Sequence, residues 1–172
     1  MNDDATPRED EVPLETVQGA PGPVVTVDER YIYRIYSCLN PAVKLVDMSH
    51  QSTPNGMHNV KLFSSTTDKA SQWRFTERTN DGYYLILNQR DENLALGEAS
   101  DDSVIASKLT RSRGQYWILK EVGNGYFFFE NKYDGLVMDV AGANTADNTN
   151  ICVYRHHAQG SSAHQQFKLA RV

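Results

Sequence analysis

The chain has 172 residues, 40% of them apolar, and a formal net charge of −5. Residues 1–26 hold six acids (Asp3, Asp4, Glu9, Asp10, Glu11, Glu15) against Arg8 alone, leaving sixteen acids and sixteen bases in the rest. The length suffices for one domain with a real core. A nearly neutral body excludes the electrostatic footprint of a nucleic-acid binder or of a protein held on an anionic membrane.

The first residues are acidic where a secretory signal would be basic, and no apolar run follows them. No stretch is apolar for long enough to span a bilayer. The expected location is therefore cytoplasmic, or outside the cell by a route without a classical signal peptide. Cys38 and Cys152 are too few for a disulfide framework and form no CxxC pair. Two buried thiols are the simpler reading, and one bridge between them stays open.

Residues 1–26 carry four of the six prolines (Pro7, Pro13, Pro21, Pro23) and little apolar periodicity, which predicts a disordered acidic tail. Val24–Val27 could pair as an edge. From about residue 27 short β-rich runs follow one another. In order they are Tyr31–Tyr36, Val43–Asp47, Val60–Phe63, Ser71–Phe75, Tyr83–Leu87, Leu94–Gly97, Gln115–Leu119, Tyr126–Phe129, Leu136–Asp139, Ile151–Tyr154 and Gln165–Leu169. Turn signals separate them: Asn40-Pro41, Pro54-Asn55-Gly56, Asn80-Asp81-Gly82, Gly123-Asn124-Gly125 and Asp134-Gly135. No segment has ten or more residues of clean helical period. Many short strands with close turns predict an all-β barrel or sandwich.

Three segments end alike, in Ser71-Gln72-Trp73-Arg74-Phe75, Gln115-Tyr116-Trp117-Ile118-Leu119 and Gln165-Gln166-Phe167-Lys168-Leu169. The aromatic residues are separated by 44 and 50 positions. In a strand, alternate residues share a face, so each aromatic and the apolar residue two later point inward together. One such face cannot be buried by a single repeat; three repeats around an axis can bury theirs in common. The predicted repeats span about 27–76, 77–121 and 122–172, and Trp73, Trp117 and Phe167 are expected in the core.

These residues resemble the ricin-type lectin repeat, the QxW β-trefoil family, over about residues 28–172 and most strongly in the third repeat. The resemblance implies a β-trefoil of twelve short strands, six forming a barrel and six forming hairpins that cap it. It also implies carbohydrate binding, commonly of terminal galactose or N-acetylgalactosamine, without metal or other cofactor. Within the family site an Asp accepts from sugar hydroxyls, an aromatic stacks on the sugar face, a polar residue adds a contact and the Gln steadies the Asp. Carried over, this gives Asp139, the backbone N–H of Gly142, Tyr154, His164 where the family usually has Asn, and Gln165. His157 is expected to line the same cleft beside His164.

The first repeat keeps Asp47, and Phe63 could stack, but Ser71 replaces the Gln; it is a second, weaker candidate. In the second repeat Gly97 replaces the Asp and Ser107 the aromatic, so Gln115 and Trp117 there should be structural only. His156, His157 and His164 invite a metal reading, but adjacent histidines on a strand or turn point apart, and no metal is expected. No serine elbow, catalytic cysteine signature or phosphate loop occurs, and no second acid partners Asp139, so no enzyme is expected. The expected partners are glycans, with neither nucleic acid nor membrane insertion; one good site per chain would need a homodimer for agglutination. The alternative is a protein-binding trefoil, a protease inhibitor or a toxin-complex subunit, acting through loops such as 51–59 or 98–104.

Overall fold

The computed structural model describes residues 19–39 and 43–172. Residues 1–18 of the expected tail and the expected Asn40-Pro41 turn lie outside the described residues. Among the described residues there are twelve strands in three sets of four. The first set is β1 Ile32–Ser37, β2 Lys44–Ser52, β3 His58–Ser64 and β4 Trp73–Thr76. The second is β5 Tyr84–Asn88, β6 Leu94–Glu98, β7 Val104–Lys108 and β8 Tyr116–Gly123. The third is β9 Tyr126–Asn131, β10 Val137–Val140, β11 Ile151–Tyr154 and β12 Phe167–Arg171. No α-helix interrupts them among the described residues; the connections before β4 and β8 each tighten into one 3₁₀ turn, and the connection before β12 into two.

The outer strands of each set close a ring. β1 pairs with β4, β4 with β5, β5 with β8, β8 with β9, β9 with β12 and β12 with β1, all antiparallel. Closure leaves this six-stranded barrel without a free edge. The inner strands form the hairpins β2–β3, β6–β7 and β10–β11. These hairpins meet one another through His58 with Ala106, Ser103 with Cys152 and Lys61 with Asn150. The result is the β-trefoil that the resemblance to the ricin-type lectin repeat implied, an all-β barrel as the strand pattern predicted.

Alternation explains the core. In β1 every second residue is buried, and in β4 Trp73 and Phe75 point inward together. Trp73, Trp117 and Phe167 are wholly buried, as expected. Inside the barrel, Phe75 meets Tyr33 and Tyr84 edge-on at 5.7 and 5.8 Å, and Phe129 meets Phe167 at 5.8 Å. Edge-to-face pairs at this spacing add attraction beyond the area they bury. The tryptophans also tie barrel to hairpin. Trp73 Nε1 donates to the Val46 carbonyl at 3.0 Å, and Trp117 Nε1 to the Leu96 carbonyl at 2.9 Å. In each case the acceptor is the residue just before the Asp position of that repeat.

The end of the expected tail differs from the expectation. From Gly19 to Val27 the chain lies along β8 and β9. Val25 donates to the Leu119 carbonyl, Glu121 to the Pro23 carbonyl and Ala20 to the buried Glu130 carboxylate, while Val27 is itself buried. The proline- and glycine-rich composition reads as loose chain, yet these residues pair with the stretch of β8 beyond Trp117 that β5 does not reach. Gly22 allows the approach: its φ is +105°, and a Cβ there would overlap the Glu121 carbonyl oxygen. The cysteines are free, Cys38 after β1 and Cys152 within β11.

Phe167→Ala removes a ring from the shared core and is expected to lower stability by about 3–5 kcal/mol in a urea titration. A loss below about 1 kcal/mol would show that the third repeat is not built on this ring.

Candidate functional site

Asp139 stands third in β10, opposite Cys152 of β11, and is 5% exposed. A carboxylate this buried needs partners, and it has them. The Gln165 side-chain amide donates to Asp139 Oδ2 at 2.9 Å and also to the Arg155 carbonyl at 2.9 Å. The same amide's Oε1 accepts from the His157 backbone N–H at 2.8 Å. One wholly buried glutamine thus fixes the end of β10 and the 155–157 loop to each other. Burial pushes the Asp139 carboxyl above the usual carboxylate range, against the Gln165 bond and the two nearby imidazoles that pull it down.

His164 Nε2 lies 3.4 Å from Asp139 Oδ2 and 3.1 Å from His157 Nδ1. Its Nε2 is therefore engaged within the protein, and its remaining polar atom is Nδ1. The His157 ring in turn meets Tyr154 edge-on at 5.4 Å, and the Tyr154 side of the cluster opens outward: this ring is 48% exposed. Gly142 lies in the 3₁₀ turn Ala141–Ala143 that leaves β10, with φ +61°, and this turn contacts the one holding His164 and Gln165. Asp139, Tyr154, His157, His164 and Gln165 are thus one connected cluster, with Gly142 on the adjoining turn. His156 turns away from it, its ring edge-on to Phe128 at 5.4 Å. The Cys152 thiol, held beside Asp139 and pushed up to about 11 chiefly by burial, is a poor nucleophile here.

The first repeat repeats the plan with other partners. Asp47 is 6% exposed, and Ser71 Oγ donates to its Oδ1 at 2.7 Å. Ser71 was read as a loss; in the folded chain it reaches the same carboxylate with a shorter side chain. Lys61, directly across the hairpin from Asp47, donates to Oδ2 at 2.9 Å. Its ammonium also stands 4.0 Å over the Phe63 ring. One face of the expected stacking ring is thereby covered. A cavity of about 370 Å³ opens here, lined among others by Asp47, Lys61, Phe63, His50 and Asp68. No sequence signal gave Lys61: the hairpin register shifts between Met48 and Ser52, and without that irregularity the pairing of Ser52 with His58 would set Phe63 opposite Asp47.

In the second repeat Gln115 fills the space of the missing acid. A Cβ on Gly97 would sit 3.2 Å from both Gln115 Cγ and the Gly114 carbonyl. The Gln115 amide is spent locally, accepting from Thr110 and Arg111 backbone N–H at 2.9 and 3.1 Å and donating to the Lys108 carbonyl at 2.9 Å. Gln115→Ala is expected to cost about 1–3 kcal/mol of stability, read by urea unfolding, with glycan binding unchanged. Lost binding in a folded variant would give this repeat a site.

Comparison with known proteins agrees with this architecture. The model of the ricin-type β-trefoil lectin domain-like family matches residues 69–154 and 113–171. No curated protein matches the chain. Among solved structures, the designed three-fold symmetric protein ThreeFoil is 25% identical with a TM-score of 0.72, over 82% of this chain and 99% of that one. The C-half of the earthworm R-type lectin, solved with GalNAc, is 16% identical with a TM-score of 0.60, over 83% of this chain and 99% of that one. The exo-β-1,3-galactanase of Clostridium thermocellum is 20% identical with a TM-score of 0.72, over 86% of this chain but only 31% of the enzyme. With a family model spanning more than half of its residues and a trefoil closed by three related repeats, the chain belongs to the ricin-type β-trefoil lectin domain-like family.

Proposed function

We propose that the protein is a non-catalytic lectin that binds terminal galactose or N-acetylgalactosamine, chiefly through its third repeat. The observation that carries this reading is the Asp139 carboxylate, buried, oriented by Gln165 and joined through His164 and His157 to the half-exposed Tyr154 ring. A carboxylate accepts from two vicinal hydroxyls, and such charge-assisted bonds are the stronger kind. The ring offers a flat apolar face for the C–H side of a pyranose, and Gly142 lies on the turn beside them. Asp139 has an amide and imidazoles for neighbours, which suits it to accept hydrogen bonds. The first repeat, with Asp47 and Phe63, is a weaker second site because Lys61 competes for both.

Asp139→Ala is expected to abolish glycan-array binding while the circular dichroism spectrum stays that of the parent. Full binding by the folded variant would remove the third repeat from the function.

Acid is expected to weaken binding. Burial raises the Asp139 carboxyl, so it takes up a proton at a higher pH than an ordinary carboxylate and then offers sugar hydroxyls one acceptor fewer. Affinity for N-acetylgalactosamine should therefore fall on acidification before ordinary carboxylates titrate near about pH 4. Titration calorimetry checks this, and a flat profile down to that pH would show that Asp139 takes no part.

A further inference from the structure

The third repeat differs in charge from the rest of the chain. The whole protein carries a net charge of −5, yet residues 148–172 contain no Asp or Glu. The same stretch holds Arg155, Lys168, Arg171 and three of the five histidines. Lys168 and Arg171 stand on the barrel strand β12, over the Tyr126 and Tyr31 rings. Arg155 instead belongs to the loop that closes around Asp139.

The backbone of Arg155 is fixed to the site. Its carbonyl accepts from the Gln165 side-chain amide at 2.9 Å, the same amide that donates to Asp139 Oδ2. Its side chain is exposed. The guanidinium carbon stands 6.0 Å from the centroid of the Tyr154 ring. Lys61 stands 4.0 Å over Phe63 and covers one face of it. At 6.0 Å Arg155 is at the limit of cation–π attraction, and Tyr154 stays 48% exposed. Arg30, Arg74 and Arg111 each lie against a carboxylate. Among the described residues Arg155 has no such partner.

A guanidinium is a planar fork of donors that matches the oxygens of a carboxylate or an oxyanion ester. A pyranose on the Tyr154 ring, with two hydroxyls on Asp139, brings its other substituents to the rim where Arg155 is exposed. Asp139 restricts where an anion can sit, because a negative group beside the carboxylate is repelled. The charge must therefore be on a carbon that Asp139 does not hold. C6 of a hexose meets this condition, since its substituent lies outside the ring and leaves every ring hydroxyl free.

We infer that the third-repeat site takes a galactose-type sugar with an anionic group at C6, a sulfate ester or a carboxylate, and that Arg155 selects for it. This rests on the reading of the third repeat as the sugar site and adds a charge to its ligand. The guanidinium donates to two oxygens of the anion at the solvent rim, while Asp139 keeps the ring hydroxyls. The first repeat offers no equivalent, because the Lys61 ammonium is already held by Asp47.

The test is titration calorimetry of the full chain at about pH 7.5 with D-galactose, D-galactose 6-sulfate, D-galacturonic acid and inorganic sulfate. At least one of the charged sugars is expected to bind about tenfold more tightly than galactose, and the tighter of the two identifies the anion. Raising the salt from about 0.05 M to about 0.5 M should shrink this preference. Arg155→Gln should remove the preference, and Arg155→Lys should keep part of it. Asp139→Ala should abolish binding of all three sugars. The inference is overturned if galactose binds and neither charged sugar binds more tightly. It is also overturned if Arg155→Gln keeps the preference, or if inorganic sulfate binds as tightly as the sugar sulfate. Absence of binding by all three sugars would overturn the sugar reading itself, and this inference with it.

Discussion

Each repeat of this chain has a large ring to bury and too few neighbours of its own to bury it against. The barrel exists because three such repeats share one interior. Phe75, Phe129 and Phe167 come from different repeats or different ends of them, and Phe129 touches both of the others. Closing β1 onto β12 brings first and last repeat together and removes the open edges that a sheet of this size would present. Everything that follows, including the placement of the polar residues on the hairpins, depends on that closure.

The barrel hands its geometry to the hairpins through a small number of bonds. Trp73 and Trp117 each hold the carbonyl just before the Asp position of their repeat. The third repeat has Phe167 in that place, and phenylalanine has no N–H to give. There the tie from barrel to hairpin runs through Gln165, two residues earlier, which grips Asp139 and the 155–157 loop at once. The residue that prepares the carboxylate is thus also the one that joins the loop carrying His157 to the frame. In the second repeat Gln115 grips its own loop instead and crowds the space that a side chain at Gly97 would enter. The same glutamine position orients a buried carboxylate in one repeat and holds only its own loop in another.

The fold was largely legible in the sequence because two periods carry it: alternation within strands and the aromatic recurrence between repeats. The strand β7, Val104–Lys108, was the exception, since Val-Ile-Ala-Ser-Lys has small residues and no aromatic to announce it. Pairing by Val24–Val27 was legible in their β-branched run, and it is seen against β8; the course of residues 19–23 was not, because prolines and glycines signal loose chain and Ala20 finds its partner, Glu130, only on the folded barrel. Of the site, Asp139 and Gln165 followed from position. That His157 lines the same cleft as His164 was expected, but the bond that holds it there, from its backbone N–H to Gln165, was not, because eight positions of loop separate the two. Lys61 over Phe63 was not legible either, because the hairpin register shifts between Met48 and Ser52.

The central claim is that the third repeat holds the sugar. A ¹H–¹⁵N correlation titration with N-acetylgalactosamine reads this residue by residue. The account predicts shifts at the His157 backbone amide, the Gln165 side-chain amide and the Gly142 amide, with the Gln115 side-chain amide unmoved. Shifts confined to the first-repeat residues around Asp47 and Lys61, or to the 51–59 loop, would contradict it.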